Sequence, residues 1–456
     1  MFGLKINNFR AFDNTYLELG KNNILIGENS GGKTSLIKLL LLLKQSMETP
    51  NKDKKINANG HILDLGNFDT FINKNSSEKS FQVSFNINSE DYINYYMQYI
   101  PIKESESLSD IVEKCNKFIN DKVELTFNFF EEDNAFFTNN INISSENIGS
   151  LNFNIKLEEN HFSTMIDIPA EIIINHKQHG KIKIDNKLQV YGFMLFADPD
   201  NIMKYANDYK VENLFNEIAF LLLTQNYIAN ILHNIQYINP INFNPTRIML
   251  ERDRVFNGRI NNFEGLIDAL SFLIGSKEPE SVAIINDFNN AIQELGIADK
   301  IKLEISSSMP VSQLKVKKAG IWNSIVDVGY GVGLQVPILL QAVICNHNKS
   351  IQTLIIEQPE IHLHPALHAK FIDVLIKYSG NTKLIIETHS EHIIRKLQIL
   401  AKNKIVDIQD TNIYYFKNKV GTFEISKHII SKDGNLTPPF PKGFYDNSYQ
   451  LSKELY

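Results

Sequence analysis

The sequence predicts an α/β protein built on a mixed sheet and interrupted by an α+β insertion. Three observations carry this expectation. Near the N-terminus an apolar strand, a glycine-rich turn and a helix follow one another in "NNILIGENSGGKTSLIKLL". Toward the other end "TLIIE" and "KLIIETHS" are short apolar runs separated by helical spacing, the pattern of strands buried on both faces of a largely parallel sheet. Between these two regions the chain first alternates as β-strands do and then turns helical.

Taken in order, "FGLKI" and "TYLEL" read as two short strands and "NNILI" as a third, with a helix starting near Lys33. From residue 80 to 200, "KSFQVSFNI", "KVELTFNFF", "GSLNFNIKL" and "GKIKI" are strand-like runs set apart by Asn, Ser, Glu and Gly clusters. Helical spacing then runs from "DPDNIMKYANDY" to "PESVAIINDFNNAIQELGI". After "KIKLEI" (Lys300 to Ile305) come a further strand, the glycine-rich "DVGYGVGLQVPILLQAV", the strand "TLIIE", a helix, the strand "KLIIETHS" and more helix. There is no internal repeat, and no heptad is sustained long enough for a long coiled coil.

Composition narrows the class. With 456 residues, 43% of them hydrophobic, the chain can bury a large core. A formal net charge of -6 argues against a wholly basic nucleic-acid coat, while leaving room for a local DNA-binding face. The candidate lysine runs are "NKDKK" (Lys52 to Lys55) and "KVKK" (Lys315 to Lys318), each short enough to be an ordinary solvated face. Cys115 and Cys345 fit no metal or redox spacing and read as two reduced thiols. The start "MFGLKINNFRAF" lacks the apolar region of a signal peptide, and "LIKLLLLLK" falls far short of the ~20 residues of a membrane span. A cytoplasmic protein with no membrane association is expected.

"GENSGGKT", Gly27 to Thr34, has the spacing G-x-x-x-x-G-K-T and lies between an apolar strand and a helix. Glycines let backbone N–H groups turn inward on phosphate, and the helix N-terminus adds its positive end. The candidate nucleotide-binding residues are Gly27, Asn29, Ser30, Gly31, Gly32, Lys33, Thr34 and Ser35. Lys33 is expected to reach the β- and γ-phosphates and Thr34 to hold magnesium.

Together "GENSGGKT", "LIIEQPEIHLHP" and "LIIETHS" resemble the ATPase heads of the ABC and SMC-like group. The resemblance implies a P-loop head using ATP and Mg2+, with Glu357 on the magnesium and His389 on the γ-phosphate. It also places a base at the position of Gln358, where glutamate is usual. Glutamine orients water but does not accept its proton at neutral pH. Three readings follow: Gln358 positions the water, Glu360 supplies the carboxylate, or hydrolysis is slow and the head is a switch. The favoured one is a working but slow ATPase in which Glu360 takes over.

The resemblance further implies that "DVGYGVGLQ" offers Gly329, Gly331 and Gly333 to ATP held by another copy, although the serine usual in that signature is absent. Two heads would then sandwich two ATP molecules, giving a homodimer or higher homo-oligomer. Arg10, in "NNFRAF", matches a basic residue that in such heads touches the α-phosphate or base. His362, His364 and His368 of "HLHPALH" suggest helix-start packing and contact with a partner head more than a zinc site, since spacing supplies no further ligand.

On this resemblance residues 1–80 hold the N-terminal part of the head, 81–300 the insertion, 301–430 the C-terminal part and 431–456 a tail. The tail "FPKGFYDNSYQLSKEL" and "EQPEIHLHP" resemble bacterial ATPases of restriction-associated and anti-phage loci, the Septu-type ATPases among them. That implies a sensor or regulator acting with an effector protein, a nuclease or toxin. The related overcoming-lysogenization-defect nucleases carry a Toprim domain after the ATPase. No D-x-D follows His389 here, so nuclease activity is not expected from this chain alone.

Overall fold

The computed structural model describes residues 2–48, 56–74, 78–88, 121–132, 135–155, 167–177, 180–191, 193–197, 214–239, 243–250, 256–306, 311–419 and 422–441, with a few isolated positions besides. Lys52 to Lys55, Cys115, Asp198 to Asp200 and most of the tail lie outside the described residues. The chain divides into two compact units, Met1–Leu19 with Thr34–His233, and Gly20–Lys33 with Asn234–Tyr456.

In the first unit the described residues form a nine-stranded sheet. Its spatial order is Met194–Ala197, Gly180–Tyr191, Asp167–His176, Gly149–Ile155, Ala135–Ser145, Lys122–Glu132, Ser80–Asn88, Phe2–Asn7 and Thr15–Leu19. Every neighbouring pair is antiparallel. Alternation explains its two faces, because successive strand residues point to opposite sides. Phe81, Phe85, Phe127 and Phe129 are fully buried on one face, Phe81 stacking on Phe129 with ring centroids 4.7 Å apart. On the other face an amide ladder crosses five strands. Asn7 donates to Gln82, Gln82 to Asn128, Asn128 to Asn140 and Asn140 to Asn154, at 2.8, 2.8, 3.1 and 2.6 Å. The strands expected from "KSFQVSFNI", "KVELTFNFF", "GSLNFNIKL" and "GKIKI" are all present, as is the helix Leu214–His233.

The second unit holds a seven-stranded sheet among its described residues. The order is Ile235–Ile238, Thr353–Glu357, Lys383–Glu387, Asn22–Gly27, Thr411–Lys419, Thr422–Ile430 and Leu436–Thr437. The first five strands are parallel and the last two join antiparallel, so the sheet is mixed as expected. Buried on both faces, the parallel strands need unbroken apolar runs, which is why "LIIE" occurs in two of them. Helices Phe263–Gly275, Pro279–Leu295, Tyr330–His347, Pro365–Ser379 and Glu391–Lys402 contribute Leu270, Phe288, Leu339, Phe371 and Leu397 to the core around that sheet. Local chemistry sets their starts. Asn262 caps the first by accepting from the Gly265 N–H at 2.8 Å, and proline opens the helices at Pro279 and Pro365. Beside this sheet, Val311–Lys318 pairs antiparallel with Lys300–Ile305, Ile321–Ser324 and Met249–Leu250.

Candidate nucleotide site

All the parallel strands of the second unit deliver their carboxyl ends to one edge, where ligands of open α/β sheets bind. The strand Asn22–Gly27 ends there in the glycine loop. Gly27 has φ +138°, and a Cβ on it would stand 2.1 Å from the Phe416 carbonyl oxygen, so no other residue fits. Ser30 and Gly32 also have positive φ, of 61° and 102°, and the Gly31 N–H donates to the Glu28 carbonyl at 3.2 Å. Lys33 is buried, and its Nζ donates to the carbonyls of Gly27 at 3.1 Å and Glu28 at 2.8 Å. Burial pushes this ammonium below its ordinary pKa, against the opposing charges of Glu387 and Glu28. Asn29 and Ser30 are exposed at the rim.

Glu357 ends the next strand but one. Its neighbour Lys383–Glu387 runs in parallel register, so "LIIE" lies beside "LIIE" and Glu357 is paired with Glu387. On the other side Tyr237 donates its hydroxyl to Glu357 Oε1 at 2.9 Å. Burial first, then the Glu357 charge, pushes the Tyr237 phenol far above its ordinary pKa, and it stays a donor. Past Glu357 the chain turns sharply. Gln358 takes φ +44°, its N–H donates to the Glu387 carbonyl at 2.7 Å, and the buried Gln335 donates to the Pro359 carbonyl at 2.6 Å. This turn brings Glu360 to the segment that follows the strand Lys383–Glu387, where its Oε1 accepts from the His389 N–H at 2.6 Å. Its Oε2 is buried and has no hydrogen-bond partner among the described residues. The His389 imidazole is held below its ordinary pKa by partial burial and by the Lys33 charge, so it is neutral at pH 7. Lys33, Glu357, Gln358, Glu360 and His389 thus come from three strand ends on one edge.

The other sequence candidates are placed differently. Gly329 is exposed and precedes the helix Tyr330–His347 without a side-chain cap. Gly331 and Gly333 are buried, where a Cβ would stand 2.5 Å from the His362 carbonyl oxygen and 3.2 Å from Pro245 Cγ. Close packing accounts for those two glycines, leaving Gly329 as the open one. Thr34 and Ser35 follow Lys33 in the helix Lys33–Glu48, on the first unit's side of the division. Arg10 also belongs to the first unit. Its N–H donates to the Phe71 carbonyl at 2.8 Å, and its Nε is buried with no hydrogen-bond partner among the described residues.

The three histidines of "HLHPALH" each have packing or capping roles. The His362 ring stands edge-on to Tyr330 with centroids 5.1 Å apart, and His364 Nδ1 accepts from the Ala366 N–H at 3.2 Å as helix cap. His368 bridges Ser390 Oγ at 2.9 Å and the Leu363 carbonyl at 3.1 Å. Of the "KVKK" lysines, Lys315 pairs with Glu304 at 2.7 Å and Lys317 lies 6.0 Å from the Trp322 ring centre. Among the described residues no helix is long and apolar enough to cross a membrane.

Two members of the site escaped the sequence reading. Glu387 had a signal, the repeated "LIIE" at a second strand end. Tyr237 had none, because its partner lies 120 residues away.

The loop fits a triphosphate. Its ammonium already sits among inward-turned backbone, and a side chain at Gly27 would fill the turn. Glu357 fits a divalent cation, being a carboxylate oriented by a neutral donor. A glycine loop closed on a buried lysine, at the edge of parallel strands ending in acids, defines a P-loop nucleoside triphosphatase head. The chain belongs to the AAA ATPase domain family, whose match spans residues 1–394, and is an ATP-binding ATPase domain. Residues 406–455 match a further family described as "Protein of unknown function (DUF3696)".

Among solved structures, the chain is similar to an Smc head bound to the C-terminal winged-helix domain of ScpA, at 12% identity and TM-score 0.43, covering 93% of this chain and 97% of that one. It is similar to a Pyrococcus furiosus Smc head with an extended coiled coil bound to the C-terminal domain of ScpA, at 12% identity and TM-score 0.40 over 100% of both chains. An SMC head from Thermotoga maritima aligns at 10% identity and TM-score 0.34, covering 93% and 97%. No curated protein matches the chain by sequence.

Proposed function

We propose that this chain is an ABC/SMC-like head that binds ATP with Mg2+, hydrolyses it slowly and closes on a second copy around the nucleotide. In this reading it is a cytoplasmic sensor or regulator in bacterial anti-phage defence, acting with an effector protein, a nuclease or toxin. The observation that carries the nucleotide part of this reading is the buried Lys33 ammonium in a glycine loop beside the strand-end acids Glu357 and Glu387; the defence role rests on the resemblance of the tail and of "EQPEIHLHP".

Lys33, Gly27 and Asn29 to Gly32 hold the phosphates, with Arg10 on the α-phosphate or base. Thr34 and Glu357 hold magnesium, and Ser35 is a further nucleotide-binding residue. Magnesium, when bound, neutralises charge developing on the phosphates. Gln358 orients water, Glu360 takes its proton on the buried unpartnered oxygen, and neutral His389 donates toward the γ-phosphate. Contact of Gly329, Gly331 and Gly333 with ATP on the partner head is part of this reading, supported by the open Gly329 and the helix it precedes. The four-part division at residues 80, 300 and 430 is part of this proposal, as is DNA contact through the lysine runs.

A second reading keeps ATP as the glue of a scaffold without significant hydrolysis. It is favoured by Gln358 itself and by the engagement of Glu360 with the His389 amide. A DNA-repair-type SMC-like ATPase is the further alternative. The test is sedimentation of the chain with and without ATP and Mg2+, beside Lys33→Ala. An ATP-dependent dimer lost in Lys33→Ala is expected, and a monomer under every condition would overturn the closing of two heads.

A further inference from the structure

We propose that Tyr237 is a positioning residue for the magnesium-holding carboxylate, fixing Glu357 for the divalent cation from a strand that carries no part of the phosphate loop. This rests on the reading of Glu357 given above and adds to it the residue that aims the carboxylate.

Four observations carry it. The strand Ile235–Ile238 is the parallel neighbour of Thr353–Glu357, with Tyr237 in register with Ile355, so the phenol reaches past the strand end to Glu357. The hydrogen bond is well formed at 2.9 Å and commits one carboxylate oxygen to a fixed direction. On its other side Glu357 is register-paired with Glu387, a buried acid of the same charge. Repulsion between neighbouring carboxylates drives one to turn away, and a donor on Glu357 opposes this by holding it in place. Tyr237 is in turn hydrogen-bonded by the Asn239 side chain, so its hydroxyl is oriented as well as present.

The chemistry of the donor matters. A lysine or arginine at this position would neutralise Glu357 and compete with a cation for it. A phenol orients the carboxylate and leaves its full negative charge for a metal. Groups that hydrogen-bond metal ligands commonly change metal affinity by about 10–100-fold when removed. Mere satisfaction of a buried hydroxyl would require no such effect.

The test is binding of a fluorescent ATP analogue to the full chain, titrated with Mg2+ and repeated in EDTA, for wild type, Tyr237→Phe and Asn239→Ala. Phenylalanine keeps the ring and removes only the donor. The Mg2+ concentration for half-maximal binding should rise about tenfold in Tyr237→Phe. Asn239→Ala should shift it less, in the same direction, and binding in EDTA should stay at the wild-type level. In a Glu357→Gln background, Tyr237→Phe should add nothing, because the two act through one carboxylate. A Mg2+ titration unchanged by Tyr237→Phe overturns the inference, as does an equal loss of binding with and without Mg2+, which would mean a packing role. Wild-type binding indifferent to both Mg2+ and Glu357→Gln overturns instead the underlying assignment of Glu357.

Discussion

Replacing Glu360 by Gln separates proton transfer from positioning at this site. Among the described residues the carboxylate makes one hydrogen bond, from the His389 N–H at 2.6 Å, and keeps one buried oxygen without a partner. Glutamine has the same length, and its carbonyl oxygen can still accept from His389. What the substitution removes is the charge. A hydrogen bond to a charged acceptor contributes about 1.5–3 kcal/mol against about 1 for a neutral one, so anchoring of the His389 amide weakens by about 1 kcal/mol. That corresponds to about a fivefold effect on ATP affinity or turnover. Loss of a proton acceptor costs about 100- to 10,000-fold in the chemical step. Steady-state ATP hydrolysis by Glu360→Gln, with Lys33→Ala as the blank, should therefore fall by at least about 100-fold while ATP affinity stays within about fivefold. Turnover within about fivefold of wild type would refute Glu360 as base and leave it as the anchor of His389. Wild-type turnover no higher than the blank, with tight ATP binding, would identify an ATP-held switch.

Further expectations follow from the same geometry. Gly27→Ala forces a side chain to within 2.1 Å of the Phe416 carbonyl at φ +138°. It should destabilise the loop by at least about 1–3 kcal/mol, visible as a lower denaturation midpoint and loss of nucleotide-analogue binding. Phe371→Ala empties a fully buried position in the core of the second unit and should cost about 3–5 kcal/mol in urea unfolding, far more than a surface change. The His389 imidazole should titrate below its ordinary value of 6.5 by NMR, and its midpoint should rise in Lys33→Ala as the neighbouring charge disappears. Because the unfolded chain binds this proton more readily, the contribution to stability is complete above pH 6.5 and is lost as pH falls to the lower native value. An unmoved midpoint in Lys33→Ala would remove the Lys33–His389 interaction.

Legibility in the sequence followed the range of the forces involved. The loop was readable because strand, turn and helix are contiguous, and Gly27, Gly32 and Lys33 answer to backbone geometry within one short segment. The strands "TLIIE" and "KLIIETHS" were readable because burial on both faces demands an unbroken apolar run. The strands Ala135–Ser145, Asp167–His176 and Met194–Ala197 were not singled out. The run "AFFTNNINISS" mixes in polar residues because its asparagines Asn140 and Asn142 bond to Asn154 and Asn152 of the next strand, pairings no local pattern reveals.

By itself, then, the sequence determined the phosphate loop, the acids at the strand ends and the α/β class, since each depends on neighbours along the chain and on which residues must leave water. Only the tertiary structure decided that Asn22–Gly27 lies between strands more than 350 residues away, its Asn23 amide donating to the Leu384 carbonyl 361 positions on. It also joined Glu360 to the His389 amide and Tyr237 to Glu357. Periodicity tells which face of a strand is buried but not against what. Strand order, register and the partners of each acid are set by packing and hydrogen bonds between segments that the sequence keeps far apart.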